Sequence, residues 1–164
     1  MKAKEQRQSR KSPGLSRSQA RLAAVQALYQ MDLAETDLAA VLEEFKARRH
    51  GDDVEGGELG QADAEHFARV LTGVVQRQRD IDPLIDQQLA AGWRLVRIDS
   101  IVRAILRAAT FELIELANVP VRVVISEYIE VANAFFEGDE PKVVNGVLDG
   151  LARKLRAGEL PERS

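Results

Sequence analysis

The chain has only two histidines, His50 and His66, and no cysteine. Thiolate nucleophiles, thiolate metal sites and disulfides are therefore excluded. His66 follows Asp63 by three residues. A dinuclear carboxylate centre needs Glu-x-x-His motifs on two helices, and one such pair does not make it. The glycines of "HGDDVEGGELG", residues 50–60, follow no strand and stand among four acids that would repel phosphate. No nucleophile elbow, P-loop or dinucleotide fingerprint occurs. The residue types thus point away from an enzyme and call for no cofactor and no metal.

Two other sets of ionisable groups stand out. Glu112 falls inside an apolar stripe, near Ile105 and Leu116 at helical spacing. A buried carboxylate needs a partner or a raised pKa, and a structural salt bridge or a cap is the expected role. The second set is the basic head. Residues 1–21 hold Lys2, Lys4, Arg7, Arg10, Lys11, Arg17 and Arg21 against the single acid Glu5, a net of +6. The whole chain is at −3, which leaves −9 for the remainder. A basic head on an acidic body suits a polyanion partner such as nucleic acid, or else a solubilising tail.

The elements that must position these groups are helices. The chain has 164 residues, 45% of them hydrophobic but only 5% aromatic. A core of Leu, Val, Ile and Ala suits packed helices better than a β-sandwich. Residues 1–15 are polar, basic and broken by Pro13-Gly14, and read as a disordered arm. Helix one is expected over 17–33, with Ser16 as cap and Gln19 at capping-box spacing. Leu22, Val25, Leu28, Tyr29 and Met31 would form its apolar face, with Arg17 and Arg21 on the other. Helix two follows Thr36 as N-cap. Helix three starts near Asp63 and breaks near 79–82, because Pro83 suits the first turn of a fresh helix over 83–90. Helix five, 98–117, is apolar on several sides and should sit centrally. Helix six covers 120–137. Helix seven begins at Asp139 with Pro141 just inside.

One stretch reads two ways. "VVNGVLDG", residues 143–150, places Asn-Gly between β-branched residues, a hairpin signal. As a helix it must carry Gly146 in its middle, at roughly 1 kcal/mol against Ala, and Gly146 would then mark a close approach of a backbone or a ligand. The boundaries are thus a basic arm at 1–15, one helical domain at 16–157 and a frayed tail at 158–164. There is no apolar signal-peptide core and no run of roughly 18 apolar residues, so the chain reads as cytoplasmic.

"ARLAAVQALYQMD", "IDSIVRAILRAATFEL" and "VPVRVVISEYIEVANAFFEGDEPKVVNGVLDGLARKL" together resemble the bacterial transcription antitermination factor NusB family, over about residues 17–156. The resemblance implies an all-α fold of seven helices in two packed helical bundles, with residues 143–150 helical. It implies a factor that binds the single-stranded boxA element of nascent RNA jointly with a small ribosomal protein, NusE. That complex joins elongating RNA polymerase and suppresses termination, notably in ribosomal RNA operons.

The resemblance also assigns residues. Arg17 and Arg21 match the ends of an arginine-rich motif, while Ser18 and Gln19 stand where further arginines often occur. Arg7, Arg10 and Lys11 would add charge from the arm. Tyr29 matches a tyrosine associated with RNA contact, and its alternative is a core tyrosine. Asp139 and Lys142 match polar positions near the RNA, and Val143 replaces a phenylalanine found in some members. Two other readings remain. Some ribosomal RNA cytosine methyltransferases carry a NusB-like domain, but they need a reactive cysteine. Some members self-associate, so a homodimeric scaffold is possible.

Overall fold

The computed structural model describes residues 13–51, 61–90 and 94–160. Among them are six α-helices and one 3-10 turn: α1 Pro13–Ala34, α2 Leu38–Gly51, α3 Gln61–Gln88, the turn Leu95–Arg97, α4 Ser100–Glu115, α5 Val121–Phe135 and α6 Glu140–Leu155. The all-α expectation holds. The count of seven does not, because α3 runs unbroken through Pro83. Proline removes one backbone donor and crowds the preceding turn. Here Ile81 and Ile85, on either side of it, are fully buried, and Arg107 of α4 forks onto Asp82 at 2.9 Å through both Nε and Nη2. Packing on both flanks keeps one helix where local propensity favoured two. The helix ends at Gln88, two residues short of the expected end at 90.

Two other boundaries shift. Helix α1 begins at Pro13, so Ser16 lies inside it and the expected capping box does not form at its start. Pro suits the first helical turn because that amide has no intrahelical acceptor anyway. In α2 the cap is Asp37, not Thr36: the Ala40 amide donates to Asp37 Oδ1 at 2.8 Å. Of the glycine-rich stretch 50–60, residues 50 and 51 end α2 and the rest lie outside the described residues.

Helix α4 is the central element. It packs against α1, α3, α5 and α6 and buries ten consecutive or near-consecutive residues from Val102 to Leu113. Asp99 caps it, accepting from the Ile101 and Val102 amides at 2.7 and 3.2 Å. Around it, α1–α3 form the N-terminal group of helices and α5–α6 pair with each other, with α1 also touching α5 and α3 touching α6. Each fully buried Leu, Ile or Val contributes about 1.5–3 kcal/mol relative to exposure. With aromatics scarce, the few present sit at joints: Phe45 of α2 stacks on Phe67 of α3 with centroids 3.9 Å apart.

The C-terminus of α4 is closed by a residue with no local signal. Arg156, just past α6, is buried. Its Nε donates to Leu113 O at 2.9 Å, its Nη2 to Glu112 O and Leu116 O at 3.0 and 2.7 Å, and its Nη1 to Val119 O. The last carbonyls of a helix lack intrahelical donors, and one guanidinium supplies them. Glu159 and Leu160 beyond it make contacts with the fold. The Val121 amide donates to Glu159 Oε2 at 3.2 Å, and Leu160 packs partly buried against the core.

Residues 143–150 are helical, within α6. Gly146 is not a point of close packing: a Cβ there would meet nothing within 4 Å. Gly73 is the opposite case, since its Cβ would lie 2.0 Å from the Phe111 ring, so α3 and α4 touch there because the side chain is missing. Gly146→Ala should therefore raise stability by about 1 kcal/mol, while Gly73→Ala lowers it by about 1–3 kcal/mol through overpacking. Paired urea denaturation curves check both signs.

Candidate nucleic-acid interface

The basic head divides on folding. Arg7, Arg10 and Lys11 lie outside the described residues. Arg17 and Arg21, one turn apart on α1, have different fates.

Arg21 does not face solvent. Its side chain is 2% exposed, because it shares a helical face with Ala24, Val25 and Leu28, all buried. Its Nε and Nη2 donate to Glu112 Oε2 and Oε1 at 2.9 and 3.0 Å, a bidentate fork between α1 and α4. Nη1 reaches Glu127 Oε1 of α5 at 2.9 Å, and the Ser18 hydroxyl donates to the same oxygen. The Tyr128 hydroxyl donates to Glu112 Oε2. His66 Nε2 of α3 stands 3.4 Å from that oxygen, close enough for charge interaction but without a hydrogen bond. Arg21 of α1, His66 of α3 and Tyr128 of α5 thus converge on the one carboxylate of Glu112 in α4. The expectation that Arg21 lies on the outer face of α1 is corrected by this burial. Its charge is already taken up inside the protein.

The electrostatics follow. Burial by itself would raise the Glu112 pKa, but the contact with His66 and the hydrogen bonds and charge of Arg21 outweigh it and hold the carboxyl at about 2. Burial also opposes the Arg21 charge, yet the Glu112 hydrogen bond and charge leave its pKa raised. Burial and the adjacent Glu112 charge push the Tyr128 hydroxyl up, so it stays a donor. Glu112 therefore has the structural salt bridge its place in the stripe requires. The signal that could have found Arg21 is its spacing of three, four and seven to Ala24, Val25 and Leu28, which the expectation of an outer face passed over.

Arg17 remains at the surface, its side chain 36% exposed, with Nε 3.9 Å from Asp63 Oδ1. Tyr29 is twelve residues further along α1, about 18 Å away at 1.5 Å per residue. It is half-buried and lines a cleft of about 610 Å³ with Val25, Leu33, Ile101 and Phe135. Phe135 closes α5, and Asp139 and Lys142 follow it by four and seven residues at the head of α6. Both are open to solvent, their side chains 91% and 86% exposed, and they form only a loose 3.9 Å pair with each other. Asp139 occupies the N-cap position without a side-chain cap bond, so its carboxylate is available. Tyr29 thus shares its cleft with Phe135, four residues before Asp139 in the chain, and Arg17 lies at the other end of α1.

Arg103, which carries no local motif, fastens the Tyr29 end. It donates to Asp32 Oδ2 of α1 from Nε at 3.0 Å and to the carbonyls of Leu95 and Val96 from Nη1, each at 3.2 Å. Among the described residues no helix is long and apolar enough to cross a membrane.

A family model described as the NusB family matches residues 18–153. A transcription antitermination protein NusB of Bartonella tribocorum is 55% identical over 140 residues, covering 85% of this chain and 90% of the relative. The protein of the same name from Agrobacterium fabrum is 50% identical over 152 residues, covering 93% and 92%. The solved structure of T. maritima NusB superposes with a TM-score of 0.73 at 32% identity, covering 88% of this chain and 93% of that one.

The buried pair makes two predictions. Glu112→Gln strands the Arg21 charge and should destabilise the fold by about 3–5 kcal/mol, read by thermal or denaturant melting. The depressed Glu112 pKa also sets a pH dependence. Its contribution, on the order of 3 kcal/mol for a shift from 4.5 to about 2, is fully present above pH 4.5. It is lost as pH falls from 4.5 toward 2. Melting curves across that window should show a steep acid loss in the wild type, and a shallower one in Glu112→Gln.

Proposed function

The chain belongs to the NusB family, and on that premise we propose that it is a non-catalytic RNA-binding antitermination factor of the cytoplasm. It binds boxA-type single-stranded RNA together with the ribosomal protein NusE and joins elongating RNA polymerase to suppress termination. One observation carries this reading: relatives 50–55% identical over about nine-tenths of their length are transcription antitermination proteins. The geometry supports it. Single-stranded RNA is held by backbone charge, stacking and base-edge hydrogen bonds. Arg17, with Arg10 and Lys11 before it, supplies charge. Tyr29 offers an aromatic face in its cleft. Asp139 and Lys142 supply an acceptor and a donor, both exposed. Arg21 acts indirectly by fixing the helix that carries Arg17 and Tyr29.

The test is binding of a labelled boxA RNA at several salt concentrations, with and without the ribosomal protein. Affinity should rise when the partner is added. Tyr29→Ala should cost about 1–3 kcal/mol of binding, the worth of one stacked base. Lys142→Ala should flatten the plot of log K against log salt by about 0.7, one phosphate contact in a single strand. No RNA binding in either condition would overturn the reading.

A further inference from the structure

Three buried side-chain polar atoms among the described residues lack a hydrogen-bond partner: Arg17 Nε, His66 Nε2 and Glu140 Oε1. The first two belong to residues that line one cleft; His66 Nε2 stands 3.4 Å from Glu112 Oε2, so Arg17 Nε is the donor left open there. It lies between the start of α1, the first turns of α3 and the segment after α4, has a volume of about 240 Å³, and is walled by Arg17, Glu65, His66, Arg69, Asn118 and Val119 with Leu116. Buried polar atoms are nearly always satisfied, and an orphaned donor marks a place where a partner belongs. Arg17 has a carboxylate near it, but Asp63 stands 3.9 Å from Nε, too far for a hydrogen bond.

Resting on the RNA-binding reading above, we propose that this cleft holds one phosphate of the bound RNA chain, gripped between Arg17 of α1 and Arg69 of α3. Two guanidiniums face one acid of the lining, Glu65, and guanidinium forks match phosphate oxygens. Asn118, exposed at the mouth, adds a neutral donor. The negative end of the α4 dipole would ordinarily repel an anion here. Arg156 removes that obstacle, because it covers the carbonyls of Glu112, Leu113, Leu116 and Val119 from inside the fold. The site also gives the RNA a second foothold about 18 Å along α1 from Tyr29, on the side of the molecule where the basic arm enters. The sequence alone does not mark Arg69, since nothing local distinguishes it from other helix-face arginines.

The experiment measures binding of labelled single-stranded boxA RNA to the full chain with its ribosomal partner across a salt series. Arg69→Gln should weaken binding about tenfold near 50 mM salt and flatten the salt slope by about 0.7. Asn118→Asp, an exposed change that leaves the core untouched, should weaken binding as well by placing a charge at the mouth. Arg122→Gln on exposed α5 surface serves as the control and should change neither quantity. Unchanged affinity and slope in both cleft variants, with the wild type still binding RNA, would overturn the cleft while leaving the RNA reading intact. No RNA binding by the wild type would overturn both. A parallel titration with inorganic phosphate separates the sources: saturation of the cleft by free phosphate without competition from RNA would overturn the assignment to the RNA backbone.

Discussion

The fork between Arg21 and Glu112 is the constraint on which the rest depends. A guanidinium and a carboxylate this deep are tolerable only together and only in one geometry. That geometry fixes α1 against α4, and the further bonds of Arg21 to Glu127 and of Tyr128 to Glu112 bring in α5. A purely apolar seam would allow helices to slide by a turn at modest cost. A bidentate pair with an added hydroxyl does not, because any slip leaves a charge buried and unpaired. The helix carrying Arg17 and Tyr29 is thereby held in register with α4 and α5.

Arginines do this work repeatedly. Arg103 ties the end of α1 to the turn before α4, Arg107 ties α3 to α4, and Arg156 closes the end of α4. A chain with few aromatics has fewer large apolar anchors, and planar, multi-donor side chains fill the joints between helices. The consequence for charge is direct. Arginines spent on internal carboxylates and carbonyls contribute less to the outer field than their number suggests.

The two ends of α1 accordingly divide the labour. At one end the surface is guanidinium-rich and polar, suited to backbone phosphate. At the other it is a cleft with Tyr29 and Phe135 in its wall, suited to a base. A single strand crossing both would be read at one point and held at another, which is the usual separation between contacts that specify and contacts that position. Glycine serves the same economy of space: at Gly73 the absent side chain admits Phe111, whereas at Gly146 it leaves backbone open to solvent.

Periodicity made the helices legible. The stripes of α3, α4, α5 and α6, the Asp139 start and the central place of α4 all follow from spacing and composition, which are local properties. The motifs at the head and tail of the chain likewise identified the family and named Tyr29, Asp139 and Lys142. What tertiary structure alone decided were the questions in which distant residues compete. Pro83 reads locally as a helix start, but burial of Ile81 and Ile85 outweighs the lost hydrogen bond. Asn145-Gly146 reads locally as a turn or a helix, and the buried face of Val144, Val147 and Leu148 selects the helix. Arg21 reads as one more basic residue until Glu112, ninety-one positions away, arrives beside it. A charge on a helix has no fixed role of its own. Whether it faces water, a carboxylate or a phosphate depends on what the fold places opposite it.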